Sequence, residues 1–337
     1  MAVAIGIFLA LFASVVPAIL WSLFVWWCDR YEREPLGLVV VTFWWGAIPA
    51  VIFSILIEGV LSIPLRPLHL NSVLLDVVES GAVAPIVEEV LKGLALLALF
   101  LALRHEFDGL LDGIIYGALV GFGFAMSENL LYFIGALMEG GLGNLTVVIF
   151  LRAILFGLNH AFFTAITGAG LGLARLSRNA AARWLLPLMG LFAAITFHAI
   201  HNLGTSLAQV NFLTFFVSVA SDWAGVVVVA AIVLLAWYQE MTWIVAELAD
   251  EVGTTLTREE YVVAASYGRR LRQWLAGARG RQLGHLHHLA TELAFKKHRL
   301  RTLGSAQEPK LAAEIVRLRE RIGELRAGLE APPASSV

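Results

Sequence analysis

The chain has 337 residues, 59% hydrophobic and 15% charged, with a formal net charge of −2. Charged residues make up about 25% of an average soluble protein, so a soluble globular class is excluded, and the near-neutral balance excludes a nucleic-acid footprint. The single cysteine, Cys28, excludes an internal disulfide framework and a cysteine-based zinc cluster.

What remains is an all-α fold: a polytopic membrane bundle of about seven transmembrane helices followed by a helical cytoplasmic tail. Residues 4–27 are a long apolar run with no basic segment before it, which reads as a first span and not a cleaved signal peptide. Trp21, Trp26 and Trp27 cluster near its end, as an interfacial aromatic belt does. A loop, DRYEREP at 29–35, leads to a second span over 36–63, with Glu58 near its far end. Residues 64–80 are polar enough to lie outside the hydrocarbon core. The third span is 81–103, and 104–108 form a short charged turn. Further spans are predicted over 109–137, 146–174, 184–207 and 213–240. Each meets the requirement of about 20 residues.

Basic residues sort onto one side of this arrangement. Arg30 and Arg33, then Arg104, then Arg175, Arg178 and Arg183, then the tail fall together, and only Arg66 falls opposite. The positive-inside rule therefore puts the C-terminus in the cytoplasm and the N-terminus outside. The composition divides the chain into a transmembrane domain over 1–240 and a charged tail over 241–337. In the tail, Thr257 and Glu260 read as a capping box opening two or three amphipathic helices, and the end, APPASSV, reads as disordered. His285, His287, His288 and His298 sit among arginines and lysines and read as a solvated polar face. A basic tail beside a membrane is expected to meet anionic lipid.

The polar residues inside spans carry the information. The third span holds Glu88, Glu89 and Lys92, although one charge at the bilayer centre costs about 2.5–3.5 kcal/mol on insertion scales. Glu88 and Lys92 share a helix face, which must look inward at partners or water. In the fourth span Gly113, Gly117 and Gly121 form a stripe on which another helix can approach closely. Glu128 lies on nearly the same face, so it points into a tight helix contact; the alternative is a structural carboxylate paired with Arg152 or Lys92. The fifth span carries Arg152, His160 and Thr164, and the sixth His198, His201 and Asn202. Counted from the outer ends of their spans at about 1.5 Å per residue, Glu88, Glu128, His160 and His198 fall roughly 12–21 Å deep. Four helices thus place ionisable groups in one layer open to the extracytoplasmic side, with Asp222 at similar depth.

Peptide hydrolysis needs such a layer. Two histidines and a carboxylate are a catalytic zinc set with a position left for water. A further glutamate moves the proton. Lys92 or Arg152 would stabilise an oxyanion or neutralise a glutamate, and Asn202 would orient His198 or bind substrate backbone.

These residues resemble the PrsW-type intramembrane metalloproteases, related to the CAAX and bacteriocin-processing membrane proteases. The resemblance rests on EEVLK at 88–92, FAMSENLLY at 124–132, the Arg152 and His160 pair, and HAIHN at 198–202, with support from YEREP at 31–35 and residues 112–125. It covers about 29–205 and implies an endopeptidase acting on a membrane-associated protein. CAAX-type relatives carry an arginine one residue beyond the position of Lys92 and a histidine where Glu128 stands, so prenyl-protein processing is not expected. The resulting assignment has Glu128, His160 and His198 holding zinc, Glu88 as base and Glu89 in support. A metal-free route, with Glu88 and a histidine activating water, stays open. So does a proton-coupled transporter or channel built on the same layer, or a scaffold in which it is structural. The chain shows no inverted-repeat halves of the kind transporters use.

Overall fold

A computed structural model describes residues 1–31, 33–68, 70–103, 107, 109–305 and 309–330. Arg104 and Asp108 of the expected turn, Glu32 of the 31–35 motif, the Arg66 side chain and the expected disordered end at 331–337 lie outside the described residues. Among the described residues the chain is helical and forms no strand. The elements are α1 (Ala2–Cys28), α2 (Leu36–Trp45), α3 (Val51–Ser62), α4 (Ser72–Val78), α5 (Ala84–Ala102), α6 (Leu110–Ile149), α7 (Asn159–Leu176), α8 (Ala180–Ser206) and α9 (Leu213–Leu248). Four tail helices follow: α10 (Arg258–Ala264), α11 (Tyr267–Leu275), α12 (Ala278–Leu303) and α13 (Leu311–Glu330). Wider π-turns, Gly46–Ala50, Glu79–Val83 and Phe150–Leu155, join α2 to α3, lead into α5 and leave α6.

Among the described residues, five stretches are long and apolar enough to cross a membrane: Ala2–Cys28, Leu36–Leu65, Leu110–Leu176, Ala180–Gln209 and Leu213–Glu251. The sequence reading expected seven, and two features account for the difference. The helix α5 carries Glu88, Glu89 and Lys92 in its first half and is not among the five. The two spans expected over 109–137 and 146–174 are one stretch of 67 residues, nearly all helical, with its break at Gly141, where φ is 65°.

The described chain forms two compact units, Met1–Asp29 with Glu34–Val233, and Arg30–Arg33 with Leu234–Val337. The first is packed as lipid solvent dictates. In α1, besides Cys28 at its end, the buried residues are Gly6, Ala10, Ser14, Ala18 and Ser22, one every four positions. Phe8, Phe12, Leu20 and Leu23 face outward. Large apolar side chains gain nothing by leaving lipid for a helix contact, so small residues take the contact and let backbones close up. The same rule makes α6 the hub. A Cβ on Gly113, Gly117 or Gly121 would fall 2.1, 2.5 and 2.3 Å from the carbonyl oxygens of Gly168, Thr164 and His160 on α7. Next to the loop, Asp29 Oδ2 accepts the Glu34 amide at 3.0 Å, and buried Glu34 accepts the Tyr116 hydroxyl on α6.

The second unit has its own core, in which Tyr31 packs with Ile244, Leu248, Leu286, Leu293 and Ile322. The predicted capping box forms, with Thr257 Oγ1 accepting the Glu260 amide at 3.2 Å and Glu260 Oε2 accepting the Thr257 amide at 2.7 Å. Of the four histidines, His285 and His288 are exposed as expected, whereas His287 and His298 differ from a solvated face. His287 is 2% exposed, because α12 is covered by its neighbours over Leu286, Leu289, Ala290 and Leu293. His298 stacks on Trp243 at 4.2 Å and meets Glu247 at 3.2 Å.

Burial first, and the Arg270 guanidinium second, push the His287 pKa down to about 4. In the unfolded chain it returns to about 6.5, so between those values the unfolded state binds more protons. Stability of this unit is therefore full above about pH 7 and falls as pH drops toward 4, by up to about 3 kcal/mol. Hydrogen exchange in α12, corrected for its intrinsic pH dependence, is expected to speed up from pH 7 to pH 5 in the full chain. His287→Phe is expected to flatten that dependence; the same slope in the variant would remove His287 as its source.

Candidate active site

The helix α5 begins with a proline in its first turn, Pro85, and then places Glu88, Glu89 and Lys92 within one turn. Lys92 is fully buried. Its ammonium donates to Glu88 Oε2 at 3.1 Å and Glu89 Oε1 at 2.8 Å, and lies 3.2 Å from His160 Nδ1. An ammonium has three donors, so these partners use it up. The fourth side of the charge lies over the Phe124 ring, 3.8 Å from its centroid. Fully buried Glu89 is engaged on both oxygens: Oε1 also lies 3.1 Å from His198 Nδ1, and Oε2 accepts the Thr164 hydroxyl at 3.1 Å.

This network assigns the two imidazoles. Facing an ammonium, His160 Nδ1 is an acceptor, so Nε2 carries the proton and donates to Glu128 Oε2 at 2.7 Å. Facing a carboxylate, His198 Nδ1 carries the proton, so its Nε2 holds a free lone pair. That nitrogen lies 3.9 Å from Glu88 Oε2, too far for a direct hydrogen bond and close enough for one water to touch both. Glu88, His160 and His198 are 6%, 4% and 1% exposed. Their candidate ligand atoms all lie within 4.8 Å of one another, the one such group among the described residues.

The expected layer does come together, from α5, α6, α7 and α8, but with the carboxylates in other places. The sequence reading grouped Glu128 with the two histidines. In the structure Glu88 forms that group, and Glu128 Oε2 accepts Arg152 Nη2 at 2.6 Å. Arg152 Nε donates to Asn129 Oδ1 at 2.8 Å, and the guanidinium lies over Tyr132, 3.8 Å from the ring centroid. Glu128 thus has the arginine partner that the alternative reading gave it. Asn202 does not reach His198 with its amide; Nδ2 donates to Ser80 O at 2.7 Å and ties α8 to the π-turn that feeds α5. Asp222 sits one layer back, 2.7 Å from His201 Nδ1. His201 Nε2 lies 3.3 Å from Asn159 Nδ2, and Asn159 Oδ1 accepts the His160 amide at 2.7 Å.

Sequence reasoning missed Asn129 and Asn159. Asn129 stands inside the FAMSENLLY motif but was given no role there, and Asn159 was signalled only by its adjacency to His160.

The group opens on a cavity of about 1140 Å³, whose wall includes Ser54, Glu58, Glu88, Glu128, Arg152 and His160. Glu88 and His160 stand at its edge, and the free nitrogen of His198 lies 3.9 Å from Glu88 Oε2.

The model of a family described as PrsW family intramembrane metalloprotease matches residues 34–238. Protease PrsW of Halalkalibacterium halodurans is 30% identical over 212 residues, 61% of this chain and 87% of the relative. Protease PrsW of Bacillus subtilis is 34% identical over 175 residues, 51% of this chain and 72% of the relative. That of Geobacillus kaustophilus is 30% identical over 172 residues, 49% and 66%. No solved structure matches the chain.

Proposed function

The chain belongs to the PrsW family of intramembrane metalloproteases, and we propose that it hydrolyses a peptide bond in a membrane-associated protein at the Glu88, His160 and His198 group. That it is a membrane protein and a peptidase follows from the family and its apolar helices. The observation supporting the site is the convergence of those three buried side chains beside the cavity.

The donor set fits zinc: two imidazoles and a carboxylate. His198 has the arrangement metal-bound histidines favour, its other nitrogen held by a carboxylate, here Glu89. Both nitrogens of His160 already have partners, Lys92 and Glu128, so holding an ion would exchange one of them. Zinc bound at this group would lower the pKa of its water to about 7 and polarise the scissile carbonyl. This set replaces the one with Glu128, because a carboxylate committed to a guanidinium is the poorer ligand.

The chain's own groups have separable tasks. With no ion at the group, Glu88 Oε2 and His198 Nε2 hold the attacking water between them, and Glu88 takes its proton and returns it to the leaving amine; were zinc held there, the His198 Nε2 lone pair would go to the ion and Glu88 would keep its second oxygen for the proton. Glu89 fixes the His198 tautomer and ring. Lys92 neutralises the two carboxylates on its own helix and has no donor left for an oxyanion. Arg152 does: two of its five donors are engaged by the contacts to Asn129 and Glu128, and it lines the cavity. It is the candidate oxyanion donor. Asn202 holds the approach to α5.

The distribution of arginines supports an N-terminus outside, a C-terminus in the cytoplasm and a site open to the extracytoplasmic side. In the tail, Arg319, Arg326 and Lys297 are spent on Glu251, Glu260 and Asp250. Anionic lipid is assigned to α11, where Arg269 and Arg272 flank exposed Leu271, Trp274 and Leu275.

Elemental analysis of detergent-purified protein, handled without chelator, tests the metal. About one zinc per chain is expected, lost in a folded His160→Ala/His198→Ala variant. No zinc in the wild type, with cleavage of a membrane-protein reporter intact, would leave Glu88 and His198 to activate water unaided.

A further inference from the structure

One wall of the cavity has no task in the hydrolysis. It is built by α3, where Ser54 and Glu58 stand four residues apart on one face. Ser54 is 3% exposed and lines the cavity. Its Oγ and Glu58 Oε1 are buried atoms with no hydrogen-bond partner among the described residues. Two unsatisfied polar atoms on one helix face, turned to a cavity in a lipid-soluble protein, are costly unless something else supplies their partner.

The charge of the wall says what that partner is. Glu58, Asp76, Glu79, Glu88 and Glu128 line the cavity, against one cation, Arg152. Arg152 is held by Glu128, and Lys92, behind the wall, is held by Glu88 and Glu89. No described residue forms an ion pair with Glu58, Asp76 or Glu79. Among the described residues, the side of the cavity away from the histidines therefore carries carboxylates without a counter-charge.

We propose that Ser54 and Glu58, backed by Asp76 and Glu79, form a substrate subsite that takes a lysine or arginine side chain of the segment being cleaved. This deepens the protease reading and rests on it. A cation within a membrane segment is poorly solvated by lipid. A carboxylate and a hydroxyl acceptor on one helix face offer it a charge-assisted, two-point contact. The same wall repels an acidic side chain. The subsite would fix the register of an extended substrate, since its cation can sit in only one place while the scissile carbonyl faces Glu88 and His198.

The test separates the subsite from the chemistry. Apolar peptides of about 20 residues, alike except for a central arginine, glutamine or glutamate, carry a photoreactive leucine beside it. They are placed with the full chain in phosphatidylcholine liposomes. The arginine peptide is expected to label the wild type about tenfold more than the glutamine peptide, the discrimination of one charge-assisted hydrogen bond. The ratio should fall to about one in Glu58→Gln and in Ser54→Ala/Glu58→Gln, checked for an unchanged melting temperature. Glu58→Lys is the second arm and should turn the preference to the glutamate peptide. Equal labelling of the wild type by arginine and glutamine peptides, or an arginine preference untouched in Glu58→Gln, overturns the subsite. Hydrolysis of any of these peptides, abolished by Glu88→Gln, upholds the protease reading whatever the labelling shows.

Discussion

Glu88→Gln is expected to reduce hydrolysis of a membrane-protein reporter by about 10³-fold or more while leaving the protein folded. The loss follows from where the two carboxylates of α5 point. Glu89 is held on both oxygens, by Lys92, His198 and Thr164, and does not line the cavity. Glu88 Oε2 touches Lys92 and is the oxygen 3.9 Å from the free His198 nitrogen, at the cavity wall. General acid–base groups contribute about 10²–10⁴-fold to a rate, and a glutamine can neither accept the water's proton nor deliver it. The fold should survive because the amide oxygen of glutamine still accepts from Lys92, and Glu89 still neutralises the buried ammonium. Glu89→Gln is the contrasting variant. It removes the charge nearest Lys92 and frees His198 to choose the wrong tautomer, so it should lower both the melting temperature and the rate. Rates on one reporter in liposomes, beside melting temperatures of wild type and both variants, check the pair. A Glu88→Gln enzyme within tenfold of wild type would end the assignment of Glu88 as the proton carrier.

The residues of the candidate site were conspicuous in the sequence because membranes make polar residues stand out. Glu88, Glu89, Lys92, Glu128, His160 and His198 stood out against apolar surroundings, and the helices do bring them together. The glycine stripe of α6 also declared its partner, since nothing but another backbone fits against Gly113, Gly117 and Gly121. Which carboxylate joins the histidines was not legible. Glu88 and Glu128 are equivalent as letters; in the structure Glu88 lies within 4.8 Å of both histidines, while Glu128 Oε2 meets Arg152 and His160. The small-residue stripe of α1 was hidden for the opposite reason: Gly6, Ala10 and Ser14 are unremarkable inside an apolar run, and their burial is visible only beside α6. The number of crossings resisted counting because Leu110–Leu176 is apolar almost throughout and nearly all helical, and hydropathy does not mark where a helix turns back.

Gly121→Ala is expected to cost as much activity as many active-site changes, although its side chain would never meet a substrate. A Cβ there would lie 2.3 Å from the His160 carbonyl oxygen and 2.5 Å from the Ala161 Cα. Both are backbone atoms of α7 and have no rotamer by which to escape. The helices must part at the position that presents His160 to Glu88, Glu128 and Lys92. Overpacking a core ordinarily costs about 1–3 kcal/mol, and two helix backbones in contact yield less readily than side chains do. A shift of about 1 Å in a positioned group lowers rates by about 10²-fold. The rate should therefore fall further than the melting temperature alone would explain. Gly135→Ala, on the same helix with nothing within 4 Å of its Cβ, is the control and should match wild type in both. Equal, near-wild-type rates for Gly121→Ala and Gly135→Ala would show that α7 does not need this contact to place His160.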